Sequence, residues 1–358
     1  MVEAPAVWSS TGARRSRKCT SLGEFQAHEC ARTLKVAGMQ SHLRPGPHGF
    51  VLWRDAVATG RVEALRGSLR KGQLIRIRPG VYRPVKPGDQ PPFGAQRHAE
   101  LVRAAAVTLQ RPVFTAHSAA ALLGLPLISG WPTSVYLDSS TRRGGCRPGV
   151  VQVGRLGDDT PTLTDGVRTT SIEVTLIQLA RLTTLRDALA ATDAALRSPR
   201  HPGQRPALTT MERLGAAHER LRPYRGCRRM DAVLERATDQ SDSPLETDSR
   251  LLFEHHGYAQ PVLQHPIDLP EVGITARLDF YWPEVDAAAE ADGRGKYRRA
   301  TVEESADSVI AEKDRENAIR RRVRAFDRWD WADRRAVGPV LVRLDAMRIP
   351  RVRPVSVL

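Results

Sequence analysis

Apolar positions along the chain follow two spacings, and the switches between them mark out the elements. From Phe50 to Ala58 the spacing is helical, up to a stop at Thr59-Gly60. Val62, Leu65 and Leu69 repeat at i, i+3 and i+7, which predicts an amphipathic helix ending at Lys71-Gly72. Leu74-Ile75-Arg76-Ile77-Arg78 reads as a strand, Pro79-Gly80 as a turn and Val81-Tyr82-Arg83 as the returning strand. Helix, turn, helix and hairpin is the order of a winged helix-turn-helix. Residues 84–94 are a proline-rich linker.

A mixed stretch follows. His98 to Leu109 and Ser118 to Leu123 are expected as helices, and 135–137, 150–153 and 167–169 as strands. Thr170-Ser171-Ile172-Glu173 has a capping-box pattern, and helical periodicity continues to about Leu196. Thr209-Thr210-Met211-Glu212 opens another capped helix, and 227–237 looks helical. From Ser243 the pattern predicts a helix (244–256) and strands near 260–267, 275–281 and 285–291. A long helix near 302–326 and a last strand at Val340–Leu344 follow.

The expected fold is α+β in three units. These are a winged helix-turn-helix (39–85), a middle α/β unit (95–240) and a C-terminal mixed sheet with flanking helices (243–358). Residues 1–38 lack periodicity and hold the basic cluster Arg14, Arg15, Arg17 and Lys18. They read as a disordered extension, upstream of an alternative start at Met39, or as a DNA-contacting arm.

Composition narrows the function classes. The 358 residues carry 55 basic and 40 acidic side chains, a net +15, so the excess positive charge is expected to be local. Arg outnumbers Lys 49 to 6, which suits phosphate and base-edge contacts. No apolar run is long enough for a transmembrane helix and no signal-peptide core is present, so no membrane association is expected. Four cysteines without a CxxC pair point to a reducing cytoplasm. Cys19, His28, Cys30 and His42 match no zinc spacing.

Charge is concentrated in two places. Between Arg61 and Lys86 there are eight basic residues and one acid, Glu63. Arg66 and Arg70 share a helix face, followed by Lys71; Arg76 and Arg78 alternate with apolar residues and should share a strand face. This is what docking on double-stranded DNA needs, a basic helix for the major groove and a basic wing for phosphates. The alternative is a solvated, Arg-rich surface. Between Asp268 and Asp292 the balance reverses, with seven acids and one Arg. Such oxygen ligands suit a hard divalent cation, Mg²⁺ or Mn²⁺. Glu246 stands at the third helical position after Ser243 with Pro244 first, so it either caps its helix or joins this site.

Two resemblances emerge from these segments. Gly72-Gln73-Leu74-Ile75-Arg76-Ile77-Arg78-Pro79-Gly80-Val81-Tyr82, with Thr115-Ala116-His117-Ser118-Ala119-Ala120-Ala121-Leu122-Leu123-Gly124-Leu125 and Val167-Arg168-Thr169-Thr170-Ser171, resembles the AbiEi-like family across roughly residues 40–200. These are antitoxin-type winged-helix regulators of type IV toxin–antitoxin systems. The resemblance implies a DNA-binding autorepressor, with a cognate toxin and a homodimer as candidate partners. His117 is expected to be structural.

Glu246, Arg277 to Pro283, Glu290 to Gly293 and Lys296-Tyr297 together resemble a C-terminal domain similar to very-short-patch-repair endonucleases, with the PD-(D/E)xK nuclease fold. That implies a catalytic set of Glu246, Asp279, Glu290, Asp292 and Lys296, with Asp279 and Glu290 sharing a metal that activates water. Asp292 stands where the pattern has Lys, and Lys296 or Lys313 would have to substitute. Three readings therefore stand: a transcriptional regulator first, a Mg²⁺-dependent DNA endonuclease second, and a protein-interaction scaffold with both folds inactive third.

Overall fold

The computed structural model describes residues 43–200, 203–292 and 302–353. The N-terminal extension with its basic cluster and Cys/His set, Gly293 and Lys296 all lie outside the described residues. The chain is mixed α+β and divides into two compact units, one up to Asp89 and one from Gln90 onward.

In the first unit β1 (Val51–Leu52) leads into α1 (Trp53–Ala58), α2 (Val62–Arg70), β2 (Leu74–Arg78) and β3 (Val81–Pro84). The strands form a three-stranded sheet in the order β1-β3-β2. Val51, Ala56, Leu65, Leu74 and Tyr82 make its core. The helix expected from Phe50 therefore starts three residues late, at Trp53, because Val51 and Leu52 pair with Tyr82 and Val81. Two glycines set the corners. Gly72 (φ 69°) lets its own N–H and that of Gln73 close back on the last turn of α2, at 3.0 and 2.9 Å. Gly80 (φ 78°) takes the left-handed position of the Pro79-Gly80 hairpin turn.

The second unit begins with α3 (Gly94–Ala106) and α4 (Ala116–Leu122). These pack on a small sheet of β4 (Val135–Asp138), β6 (Val150–Val153) and β5 (Gly145–Arg147). The hairpin β7 (Thr162–Thr164) and β8 (Val167–Thr169) precedes a helical layer of α5 (Ile172–Leu182), α6 (Leu185–Leu196), α7 (Met211–Leu221), α8 (Cys227–Leu234) and α9 (Pro244–His255). The single helix expected over 172–196 is two. Thr183 takes an extended conformation and Thr184 caps α6 by accepting from the Asp187 N–H.

A four-stranded sheet follows: β9 (Val262–Leu269), β10 (Ile274–Trp282), β11 (Ala287–Ala291) and β12 (Ala325–Trp329), in the order β12-β11-β10-β9. β9, β10 and β11 are antiparallel; β12 joins parallel to β11 after the long helix α10 (Val302–Arg322). α11 (Trp331–Ala336) and α12 (Gly338–Ala346) close the fold. The strand expected at Val340–Leu344 is helical. Its Val-rich run favours a strand, but Pro339 opens a helix and Val340 and Leu344, one turn apart, bury against the sheet's aromatic core.

The expected boundary near 240–243 falls inside the second unit, where α9 belongs to both cores. Leu251 packs with the helical layer, while Leu245, Leu252 and Phe253 pack with Phe280, Trp282 and Trp329. The fully buried Asp248 carboxylate receives Arg186 of α6 at 2.5 Å and Arg334 of α11 at 3.0 Å. Removing it strands the largely buried Arg334 guanidinium without its carboxylate, while Arg186, which is partly exposed, can turn to water. Asp248→Ala should lower the unfolding free energy by about 3–5 kcal/mol in urea titrations. A loss under about 1 kcal/mol, the range of exposed pairs, would mean that this triad does not hold the layers together.

Candidate nucleic-acid interface and acidic site

The basic residues of the first unit fall around α2 and the hairpin. Arg66, Arg70, Lys71 and Arg76 are exposed. Arg66 pairs with Glu63 at 2.6 Å and lies 5.7 Å from the centre of the Trp53 ring, so it is partly tied down. Arg70, Lys71 and Arg76 meet no carboxylate among the described residues. Arg78 is half-buried. The β2–β3 register shifts between Arg76, opposite Tyr82, and Arg78, opposite Val81. This irregularity breaks the alternation that would put Arg76 and Arg78 on one strand face.

The acids of the second unit separate into two groups. Phe280 pairs with Ala289, so the next positions along the β10–β11 ladder are Asp279 and Glu290. Asp279 stands where β10 changes face. Ala276 and Leu278 pack beneath α10, whereas Phe280 and Trp282 pack beneath α9. Opposite it, Gln264 has φ 52° and the β9–β10 ladder omits the 264/279 pair. Freed from the regular pleat, Gln264 donates its amide to Asp279 at 3.3 Å and to Glu246 at 3.1 Å. Asp279 also accepts the Ala291 N–H at 2.9 Å, and Glu246 the Asp242 N–H at 2.8 Å.

Glu246 therefore does two things. Ser243 caps α9 by accepting the Glu246 N–H at 3.2 Å, and the Glu246 carboxylate ties down the backbone just before the cap. Its buried side chain also faces Gln264. Burial pushes the Asp279 carboxyl above the usual range, and the Glu290 charge adds to the rise. Burial raises Glu246 as well, with Asp279 as the next cause.

Glu290 belongs to the second group. It is buried, and its two oxygens receive Arg315 of α10 at 2.5 Å and Arg328 of β12 at 2.8 Å. Arg328 also reaches Glu312 at 2.8 Å and Glu316 at 3.3 Å, and lies 3.9 Å from Asp292. Guanidinium groups thus balance Glu290 where the sequence pattern suggested a metal. Among the described residues, three ligand atoms of metal-binding type come within 4.8 Å of one another at His218, Glu219 and Asp231, and not at the sheet acids. Even there Arg222 takes the cation's place, 2.9 Å from Asp231 and 3.1 Å from Glu219. The donor set around the sheet does not fit a Mg²⁺ bridging Asp279 and Glu290.

Sequence reasoning placed Glu246, Asp279, Glu290 and Asp292 around one sheet, but missed Gln264, Arg315 and Arg328. A signal for Arg315 existed. It stands four residues before Ile319, which is fully buried, so the two share a face of α10, whereas Lys313 points to solvent. Arg328 is the ladder partner of Glu290, which only the β11–β12 pairing reveals.

No protein-family model matches the chain. Part of it is similar to an uncharacterized protein of Mycobacterium tuberculosis, found in two strains. The identity is 36% over 116 residues, 32% of this chain, and the chain spans 40% of the relative's length.

The raised carboxyls give a pH prediction. A folded-state pKa above its unfolded value means that the native state holds the proton more tightly, so stability falls as pH rises from the ordinary carboxylate range through the raised values. The unfolded carboxyl is already ionised at about pH 5 while the native one still holds its proton, so the melting-temperature advantage of Asp279→Asn over the wild type should widen as pH rises from about 5. At about pH 9 the variant should be the more stable, by on the order of 1 kcal/mol. Parallel curves for the two proteins would contradict the raised Asp279.

Proposed function

We propose that this chain is a DNA-binding transcriptional regulator of the AbiEi-like antitoxin type that represses its own promoter. The observation that carries the reading is the exposed, acid-free run of Arg70, Lys71 and Arg76 at the junction of α2 and the β2–β3 hairpin. Read as a winged helix, the unit presents α2 to the major groove and the hairpin to the flanking phosphates. Double-stranded DNA is the partner, and a cognate toxin and a second copy of the chain are the protein partners the family resemblance suggests. The site of action is the cytoplasm. Among the described residues no helix is long and apolar enough to cross a membrane.

The second reading, a Mg²⁺-dependent endonuclease of the PD-(D/E)xK type, draws on the order helix, three antiparallel strands, helix, parallel strand in residues 244–329, with Glu246, Asp279 and Glu290 on the first helix and the inner strands. Against it stand the two arginines on Glu290 and the acid at position 292. In the regulator reading this sheet keeps a nuclease-like frame without its metal chemistry.

Gel shifts on the DNA upstream of the chain's own gene test the proposal. Arg70→Glu combined with Arg76→Glu should weaken binding by tenfold or more, and the dependence of log K on log salt should flatten by about 0.9 for each phosphate no longer neutralised. Unchanged affinity together with an unchanged salt slope would remove this surface from the interface.

A further inference from the structure

The second unit carries an open cleft of about 830 Å³ that no part of the regulator reading uses. Its size falls in the range of small-molecule sites. Leu127, Trp131, Leu182 and Leu185 give it apolar walls, and Arg228 and Arg229 stand at its border. His117, on the first turn of α4, reaches it from the protein side.

The walls are fixed in advance. Asp187 takes the backbone N–H groups of Ile128 and Ser129 on one oxygen, at 2.7 and 2.8 Å, and the Thr184 hydroxyl on the other, at 2.9 Å. This carboxylate is therefore spent on shaping the 127–132 loop. His98 holds the same loop through the Pro132 carbonyl at 2.9 Å, with its ring 5.4 Å from Trp131. A site whose loops are held by buried hydrogen bonds loses little freedom when it binds.

Two polar features are left over. His117 is 8% exposed, and its Nδ1 has no hydrogen-bond partner. Burial, and secondarily the nearby His98, depress its pKa to about 4, so the ring is neutral at physiological pH and can donate or accept. Nδ1 itself is closed off from solvent, so His117 borders the pocket with the rest of its ring. The second feature is the charge at the mouth. Arg228 and Arg229 are exposed and meet no carboxylate among the described residues, although Arg229 donates to the Arg181 carbonyl at 3.3 Å.

We propose that this cleft binds a small organic anion with a flat apolar body, which lies against Trp131 and the leucines, directs its anionic group to Arg228 and Arg229, and meets His117 at its inner end. The neutral imidazole sets the polarity expected of the buried end, an uncharged hydrogen-bonding group. The guanidinium pair selects carboxylate, sulfonate or phosphate at the other.

The test uses two fluorescent probes on the full chain. The anion 8-anilinonaphthalene-1-sulfonate and the neutral N-phenyl-1-naphthylamine share the aromatic body and differ in the sulfonate. The anion should bind saturably at one site per chain. Arg228→Glu with Arg229→Glu, both at exposed positions, should weaken the anion by roughly tenfold or more while leaving the neutral probe within about twofold. Leu182→Glu, in the apolar wall, should weaken both probes. Melting curves matching the wild type ensure that each variant is folded. Unsaturable binding, equal loss of both probes in the arginine variant, or indifference to Leu182→Glu would each overturn the proposal.

Discussion

Helix α9 carries five polar residues in a row, Glu246 to Arg250, at a place where none of its residues is exposed. Each unpartnered polar group there would cost on the order of 1–3 kcal/mol, so the surrounding elements are arranged to serve it. Thr247 donates to Asp193 at 2.8 Å, and Arg250 reaches the same carboxylate at 2.9 Å. Asp248 receives Arg186 and Arg334, and Ser249 accepts the Trp329 indole N–H at 2.9 Å. Glu246 is met by Gln264 and the Asp242 N–H. The apolar residues of the helix fill the gaps in two cores at once. The helical layer and the four-stranded sheet are thereby parts of one compact unit.

The same constraint shapes the acidic site. α9 delivers Glu246 to the sheet surface, where Gln264, out of the regular pleat, serves both Glu246 and Asp279. The strand then changes face at Asp279. On the other side of the sheet, α10 and β12 supply two arginines to Glu290. Two of the carboxyls are thus met by hydrogen bonds, with burial raising their pKa values, and the third by fixed guanidinium charge. A divalent ion would have to displace those arginines to bridge Asp279 and Glu290. The molecule has met the electrostatic problem of clustered acids from within its own side chains.

Much of this fold was legible in the sequence, and the gaps have physical causes. The helix caps are local hydrogen bonds. Those at Ser171 and Thr210 fall one residue after the first Thr of each expected motif, and Glu173 turns to Thr209 and Arg213 instead of closing a box. The Ser243 cap could be read from neighbouring residues. The 74–84 hairpin was legible for the same reason, since Pro79-Gly80 specifies its turn. The helix at 338–346 was not, because a Val-rich run takes its conformation from the core it packs on. The bulge between Arg76 and Arg78 is likewise a property of a strand pair. In the acidic site the carboxylates stood out by charge contrast. Their partners did not, because Arg315 and Arg328 lie 25 and 38 residues from Glu290 in a chain where arginine is common everywhere. His117 looked like a structural residue in a small helix. Its relation to the cleft appears once the 127–132 loop and α8 are in place.

The central claim is that nucleic acid meets the basic first unit and not the acidic sheet. Hydrogen–deuterium exchange on the full chain, with and without duplex DNA from upstream of its gene, tests both halves in one measurement. The account predicts slowed amide exchange across residues 62–84 and unchanged exchange in 244–292. Slowing confined to β10 and β11, with 62–84 unaffected, would contradict it.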